Sequence, residues 1–185
     1  ISHGYLEQGS TVAPDDIIIT AGAMEGLNLC LQTVTSPGHV VAVESPAFYG
    51  ALQAIEAWGL RAVEIPTDPV TGVDLDALES ALQRHPIKVC WFMTNFQNPL
   101  GSLMPEDAKR ELVQLLTRHE VPLIEDDVYM ELYFNDAPKP AKAFDTEGIV
   151  MHCSSYSKSL APGYRVGWVA PGRYRNALIK RKVTM

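Results

Sequence analysis

The sequence predicts a three-layer α/β fold, a mainly parallel seven-stranded sheet with helices on both faces. Short apolar runs recur along the chain, and amphipathic stretches with helical spacing separate them. The runs also lack the apolar–polar alternation of a sheet with one wet face, so their strands are expected to be buried on both sides. Strands that alternate with helices return by crossing over the sheet, which pairs them in parallel.

The elements follow in order. Residues 1–16 read as polar and irregular, with a turn at Pro14-Asp15-Asp16. Residues 17–20 are a first strand, broken by Ala21-Gly22. A helix from Ala23 places Leu27, Leu31 and Val34 on one face and ends near Ser36-Pro37-Gly38. Residues 40–43 form a second strand, and a helix through Leu52, Ile55 and Trp58 stops at Gly59. Residues 61–65 form a third strand, closed by turn residues at Asp68-Pro69 and Thr71-Gly72. Leu75, Leu78 and Leu82 mark a helix over 74–85. Residues 88–93 are a fourth strand, followed by a polar loop over 94–102. Pro105 fits the first turn of a helix bearing Leu112, Leu115 and Leu116. Residues 122–124 are a fifth strand, and residues 128–147 are expected to hold a short element and a long loop. Residues 149–153 and 165–170 are the sixth and seventh strands, and a last helix begins near Gly172.

Bulk composition narrows the function. The 185 residues are 46% hydrophobic and 20% charged, as in a single soluble domain, and no repeat or linker divides them. No apolar run is long enough to suggest a membrane span, and no secretory leader is visible. A net charge of −7 advertises no nucleic-acid face. The one basic cluster, Arg173, Arg175, Lys180, Arg181 and Lys182, reads as the wet side of the terminal helix. Cys30, Cys90 and Cys153 lie far apart without a C-x-x-C pair, and the histidines show no metal spacing, which fits a reducing, cytoplasmic setting. The chain begins with Ile and stops just after a basic stretch, as a piece of a longer protein would.

In parallel sheets ligands gather at the carboxyl ends of the strands, so the loops there carry the functional reading. After the first strand, Gly22 stands at a helix mouth whose backbone N–H groups can face an anion. After the second, Phe48 and Tyr49 can stack on a flat ring, or simply pack the helix start. After the fourth, Asn98 in Asn98-Pro99-Leu100-Gly101 can bond a phenolate oxygen or belong to an ordinary polar turn. After the fifth come Asp126, Asp127 and Tyr129. A carboxylate at a buried strand end needs a partner: a protonated ring nitrogen, a metal or a helix start. After the sixth, Ser155-Tyr156-Ser157-Lys158 sets two hydroxyls before an amine, and Arg165 follows. An anion cradle, a stacking ring, a phenolate donor, a carboxylate and a nucleophilic amine are together what pyridoxal 5′-phosphate requires. A serine-acylating reading of Ser155-x-x-Lys158 lacks its Ser-Asp-Asn and Lys-Thr-Gly partners.

On Ser155-x-Ser157-Lys158, Arg165-x-Gly167, Asn98-Pro99-x-Gly101 and Asp126-x-x-Tyr129, the whole chain resembles the large domain of fold-type-I pyridoxal-phosphate enzymes, the aminotransferase class I/II group. Residues 17–29, 95–104 and 125–129 resemble more narrowly the aminotransferase-like part of MocR-type bacterial regulators. This branch of the GntR family joins a winged helix-turn-helix to such a module. The resemblance implies that Lys158 condenses with the cofactor aldehyde and later moves the substrate proton, and that Asp126 keeps the pyridine nitrogen protonated. Asn98 and Tyr129 would hold the ring 3-oxygen, and Phe48 would stack on the ring, with Tyr49 as the fallback. The phosphate would be held by the backbone of Ala23 and Met24, by Ser155 and Ser157, and by Arg165. No metal is expected. It also implies a homodimer, an amino acid or amine as small-molecule partner, and DNA contact only through a domain outside this chain. The expected function is effector sensing in a transcription regulator, with a working class I/II aminotransferase as the alternative. The N-terminal segment and the small C-terminal domain of the family, which supplies an arginine for the substrate carboxylate, are expected to lie outside these residues, so transamination by this chain alone is not expected.

Overall fold

The computed structural model describes residues 1–184. Its eight strands are β1 (Ile18–Thr20), β2 (Val40–Ser45), β3 (Arg61–Asp68), β4 (Gly72–Val73), β5 (Ile87–Phe92), β6 (Leu123–Asp126), β7 (Val150–Ser155) and β8 (Gly167–Ala170). They form one sheet in the order β1-β8-β7-β6-β5-β2-β3-β4. The pairs from β7 through β3 are parallel, whereas β8 runs antiparallel to both β7 and β1, and β4 antiparallel to β3. The β1 strand therefore points the same way as β7, and its carboxyl end opens on the same edge of the sheet.

The predicted architecture stands with one strand more. The addition is β4, whose Gly72 the sequence places in a turn; Gly72 has φ +82° and lets the chain double back onto β3. Pro66 lies in β3 near this edge, where a missing N–H is tolerated.

Six α-helices cover the sheet: α1 (Ser2–Glu7), α2 (Ala23–Val34), α3 (Tyr49–Ala57), α4 (Leu75–Arg84), α5 (Glu106–Arg118) and α6 (Arg175–Val183). Alternate strand residues sort into two cores. Val41, Val43, Trp91, Ile124, Met151 and Val169 face Leu27 and Leu31 of α2, Ile55 of α3 and Leu178 of α6. Val40, Ala42, Phe92, Leu123 and Val150 face Leu78 of α4 and Leu112 and Leu116 of α5. Each such buried leucine contributes about 1.5–3 kcal/mol. Local chemistry sets the helix ends: Asp74 Oδ1 accepts from the N–H of Ala77 at 2.9 Å to cap α4, and α5 opens on Glu106 and Asp107 and closes on Arg118, matching its dipole.

Two further details differ from the sequence reading. Residues 2–7 are helical rather than irregular, because Tyr5 is buried against Val12, Met130, Trp168 and Ala170 in a third, smaller core. The last strand begins at Gly167, not at residue 165, because a 3-10 turn (Pro162–Tyr164) precedes it and Arg165 takes φ +50°.

Candidate cofactor-binding site

The carboxyl ends of β1, β2, β5, β6 and β7 enclose a cleft of about 360 Å³. The ten residues given cofactor roles from the sequence all line it (Ala23, Met24, Phe48, Asn98, Asp126, Tyr129, Ser155, Ser157, Lys158 and Arg165), as does Tyr49, whereas Asp127 does not. Their roles there are inferences from chemistry; their convergence is geometry.

One end of the cleft is built to receive an anion. The N-terminus of α2 has no side-chain cap, so its first N–H groups face outward from Gly22 and Ala23. Gly22 has φ +91°, and a Cβ there would run into the Arg165 guanidinium. A Cβ on Gly167 would lie 2.5 Å from the Gly22 carbonyl carbon and 2.7 Å from the Ala23 nitrogen. Only glycine at both positions lets the helix mouth close onto β8. Arg165 crosses the gap, donating from Nη2 to the Ala21 carbonyl at 3.0 Å and from Nη1 to Ser157 Oγ at 3.3 Å. A guanidinium, two serine hydroxyls and a helix N-terminus thus converge on one spot, a donor set suited to phosphate.

The floor of the cleft is different. Asp126 is 1% exposed, and its Oδ1 is buried without a hydrogen-bond partner. Burial, and then the neighbouring Asp127 charge, push its carboxyl from the usual 3.8 up to about 7. A buried acceptor left open at the bottom of a cleft fits a ligand N–H or cation. Among the described residues no group of three or more His, Cys, Asp or Glu is arranged to hold a metal ion.

The walls complete the site. Phe48 is half-buried against the α2-side core and meets Tyr49 edge-on at 4.9 Å, whereas Tyr49 is 69% exposed. The more anchored Phe48 is the better platform for a ring. Asn98 is presented by a loop that Gln97 ties down: its Nε2 donates to the Pro46 carbonyl at 2.8 Å, and its Oε1 accepts from the N–H of Leu100 at 2.8 Å. Lys158 extends over the cleft mouth, its Nζ 5.7 Å from the centre of the Tyr129 ring. Leu27, Met93, Val128 and Pro162 also line the cleft and were not singled out from the sequence. Met93 and Val128 sit just past strand ends, and Leu27 lies one turn into α2, so the strand-end rule extended by a residue or a turn would have found three of them.

An open carboxyl, a lysine and an anion cradle at the carboxyl edge of a mainly parallel sheet define an aminotransferase-like domain. The chain matches the family described as aminotransferase class I and II over residues 3–182, and it belongs to that family. Two relatives from Escherichia coli strain K12 are HTH-type transcriptional regulators described as uncharacterized. YdcR is 57% identical over 94% of this chain and 37% of its own length, and YjiR is 48% identical over 98% and 39%. The fold is also that of the Pyrococcus horikoshii kynurenine aminotransferase, solved in complex with PMP, at 35% identity and a TM-score of 0.86 over 98% of this chain and 47% of that one. The chain therefore spans less than half the length of each of these proteins. Among the described residues no helix is long and apolar enough to cross a membrane.

Proposed function

We propose that this chain is the pyridoxal 5′-phosphate-binding module of a MocR/GntR-type transcription regulator, where it senses an amino acid or amine. The observation that carries the cofactor reading is the open, buried oxygen of Asp126 in the same cleft as Lys158 and the Arg165 cradle. When bound, the cofactor supplies an aldehyde carbon open to amines and a ring that accepts electrons while its nitrogen is protonated. Arg165, Ser155, Ser157 and the N–H groups of Ala23 and Met24 hold the phosphate. Asp126 accepts the hydrogen bond from the ring nitrogen and keeps its proton in place. Asn98 and Tyr129 hold the 3-oxygen, and Phe48 covers one ring face. Lys158 provides the amine and the proton-carrying group at the cleft mouth. The likeness to YdcR and YjiR supports the regulator reading, with DNA contacted by a helix-turn-helix elsewhere in the protein and two copies forming a homodimer. The likeness to the kynurenine aminotransferase favours catalytic transamination as the second reading, because the same side chains serve both.

Visible absorbance on adding pyridoxal phosphate to the protein tests the cofactor reading. Lys158→Ala should abolish the lysine-dependent band, and an unchanged spectrum would remove Lys158 from its role. Effector-dependent DNA binding by the whole protein, measured beside amino transfer to a 2-oxo acid, separates the two readings.

A further inference from the structure

Behind the cleft, on the opposite face of the same strands, lies a buried polar chain that the proposed chemistry does not use. Asp127, Asn95 and His152 are 0% exposed, and Tyr5 and Lys109 are 1% exposed. Trp168 Nε1 donates to the Tyr5 hydroxyl at 3.1 Å, that hydroxyl meets His152 Nδ1 at 2.7 Å, and His152 Nε2 meets Asp127 Oδ2 at 3.0 Å. Asn95 Nδ2 donates to the same oxygen at 3.0 Å, and Lys109 Nζ donates to Asn95 Oδ1 at 2.5 Å. The direction of the chain follows from its carboxylate end. An ionised Asp127 only accepts, so His152 Nε2 carries a proton toward it, and in the neutral ring Nδ1 is left to accept from the Tyr5 hydroxyl, whose oxygen accepts from Trp168.

A hydroxyl, an imidazole and a carboxylate in series is the pattern of an activated nucleophile. Here Tyr5 is sealed from solvent, and burial holds its hydroxyl well above the usual phenol range, so nothing reaches it and it does not ionise. The other end of the chain is the informative one. Asp127 directly follows Asp126. Its N–H donates to the Cys153 carbonyl at 2.8 Å, and its own carbonyl accepts from Ser154 Oγ at 2.8 Å. The backbone leaving β6 is thereby clamped to β7 just where Asp126 must be aimed. The Oδ1 of Asp127 is buried with no partner, so no donor damps its charge on that side.

We propose that Asp127, held by His152 and Tyr5, is a positioning residue for Asp126, fixing both its direction into the cleft and the charge behind it. For its functional weight this rests on the cofactor reading above. Several ionisable groups surround Asp126: Asp127 and Glu125 beside it in the chain, His152 and Cys153 on β7, Glu44 on β2 and Lys158 across the cleft; Lys109 on α5 faces Asp127 and Glu125 from behind the sheet. Asp127 is the foremost of these in making Asp126 hold a proton more tightly. Against a ring nitrogen, the same charge would keep the shared proton in the Asp126–nitrogen pair.

The test needs no cofactor. In protein labelled with carbon-13 at the aspartate carboxyl, the Asp126 resonance is assigned by its loss in Asp126→Asn and followed against pH. Asp127→Asn keeps the shape and removes the charge; it should lower the Asp126 midpoint by about one pH unit, a tenfold drop in proton affinity. Asp127→Glu keeps the charge and should hold the midpoint within about a few tenths of a unit. A merely structural role gives no such dependence on charge. An unmoved midpoint in folded Asp127→Asn overturns the proposal. If that variant does not fold, Asp127→Ser takes its place under the same criterion. Failure of the wild type to take up pyridoxal phosphate would sink the cofactor reading alone, and unmoved midpoints would sink this inference alone.

Discussion

The two faces of β6 and β7 carry polar groups at the same depth and treat them in opposite ways. On the rear face Glu125 is 0% exposed and fully engaged: Thr94 Oγ1 donates to it at 2.5 Å, the N–H of Ala141 at 2.6 Å and the N–H of Lys142 at 3.0 Å. One residue along, on the cleft face, Asp126 is as buried but leaves Oδ1 open. Alternation along a strand is what separates them. Burial of a carboxylate by itself therefore marks no site here. An open acceptor that also lines the cleft does: Asp127 Oδ1 is equally unpartnered but lies behind the sheet, whereas Asp126 Oδ1 is where a ligand can complete it.

The contrast can be broken by substitution. The largest effect belongs to Glu125→Ala, which strips three donors of a buried charged acceptor and should cost about 3–5 kcal/mol in urea unfolding. A loss below about 1 kcal/mol would mean that the rear face is not the structural one. Asp126→Asn should do the reverse in the cofactor-free protein. The folded Asp126 holds its proton up to about pH 7, against 3.8 for the ordinary carboxyl. Between those values the folded state binds more protons than the unfolded state, so stability falls as pH rises and the penalty is complete above about 7. At pH 8 Asp126→Asn should therefore gain on the order of 2–4 kcal/mol, and at pH 3 almost nothing. An equal effect at both pH values would contradict the open-carboxyl description. With cofactor bound the sign should reverse at pH 8.

Gly167→Ala should cost about 1–3 kcal/mol, because its methyl would meet the Gly22 backbone at 2.5 Å. It should also weaken phosphate uptake by displacing the α2 mouth, which a titration with pyridoxal phosphate reads directly. Tyr129→Phe is the mildest. It keeps the ring beneath Lys158 and removes one hydroxyl, so cofactor affinity should drop by about three- to tenfold, or about 1 kcal/mol, with unfolding unchanged. A change in stability without a change in affinity would move Tyr129 from the site into the scaffold.

Most of the cleft face was legible in the sequence. Strands such as 40–43 and 149–153 are apolar runs, the second broken only by His152, and each is followed at once by its polar loop, so the carboxyl-edge rule collects the right loops without knowing strand order. The order itself was not legible, nor the antiparallel placement of β8, because pairing depends on which edges meet after folding. The rear face was hidden for a related reason. Tyr5 and His152 are 147 residues apart in the chain, and neither stands in a recognisable pattern. A tyrosine in an apparently irregular segment reads as surface until the third core is seen to bury it.

The sequence by itself determined the class of fold and the chemistry gathered at the strand ends, because apolar runs, helical spacing and loop residues are local properties. It placed Asp126 and Asp127 side by side and could assign them different tasks only by resemblance. The tertiary structure decided the physical difference between them. Only folding puts one carboxylate against open space and the other against an imidazole from a neighbouring strand, since that choice depends on which groups arrive from distant parts of the chain to answer a buried charge.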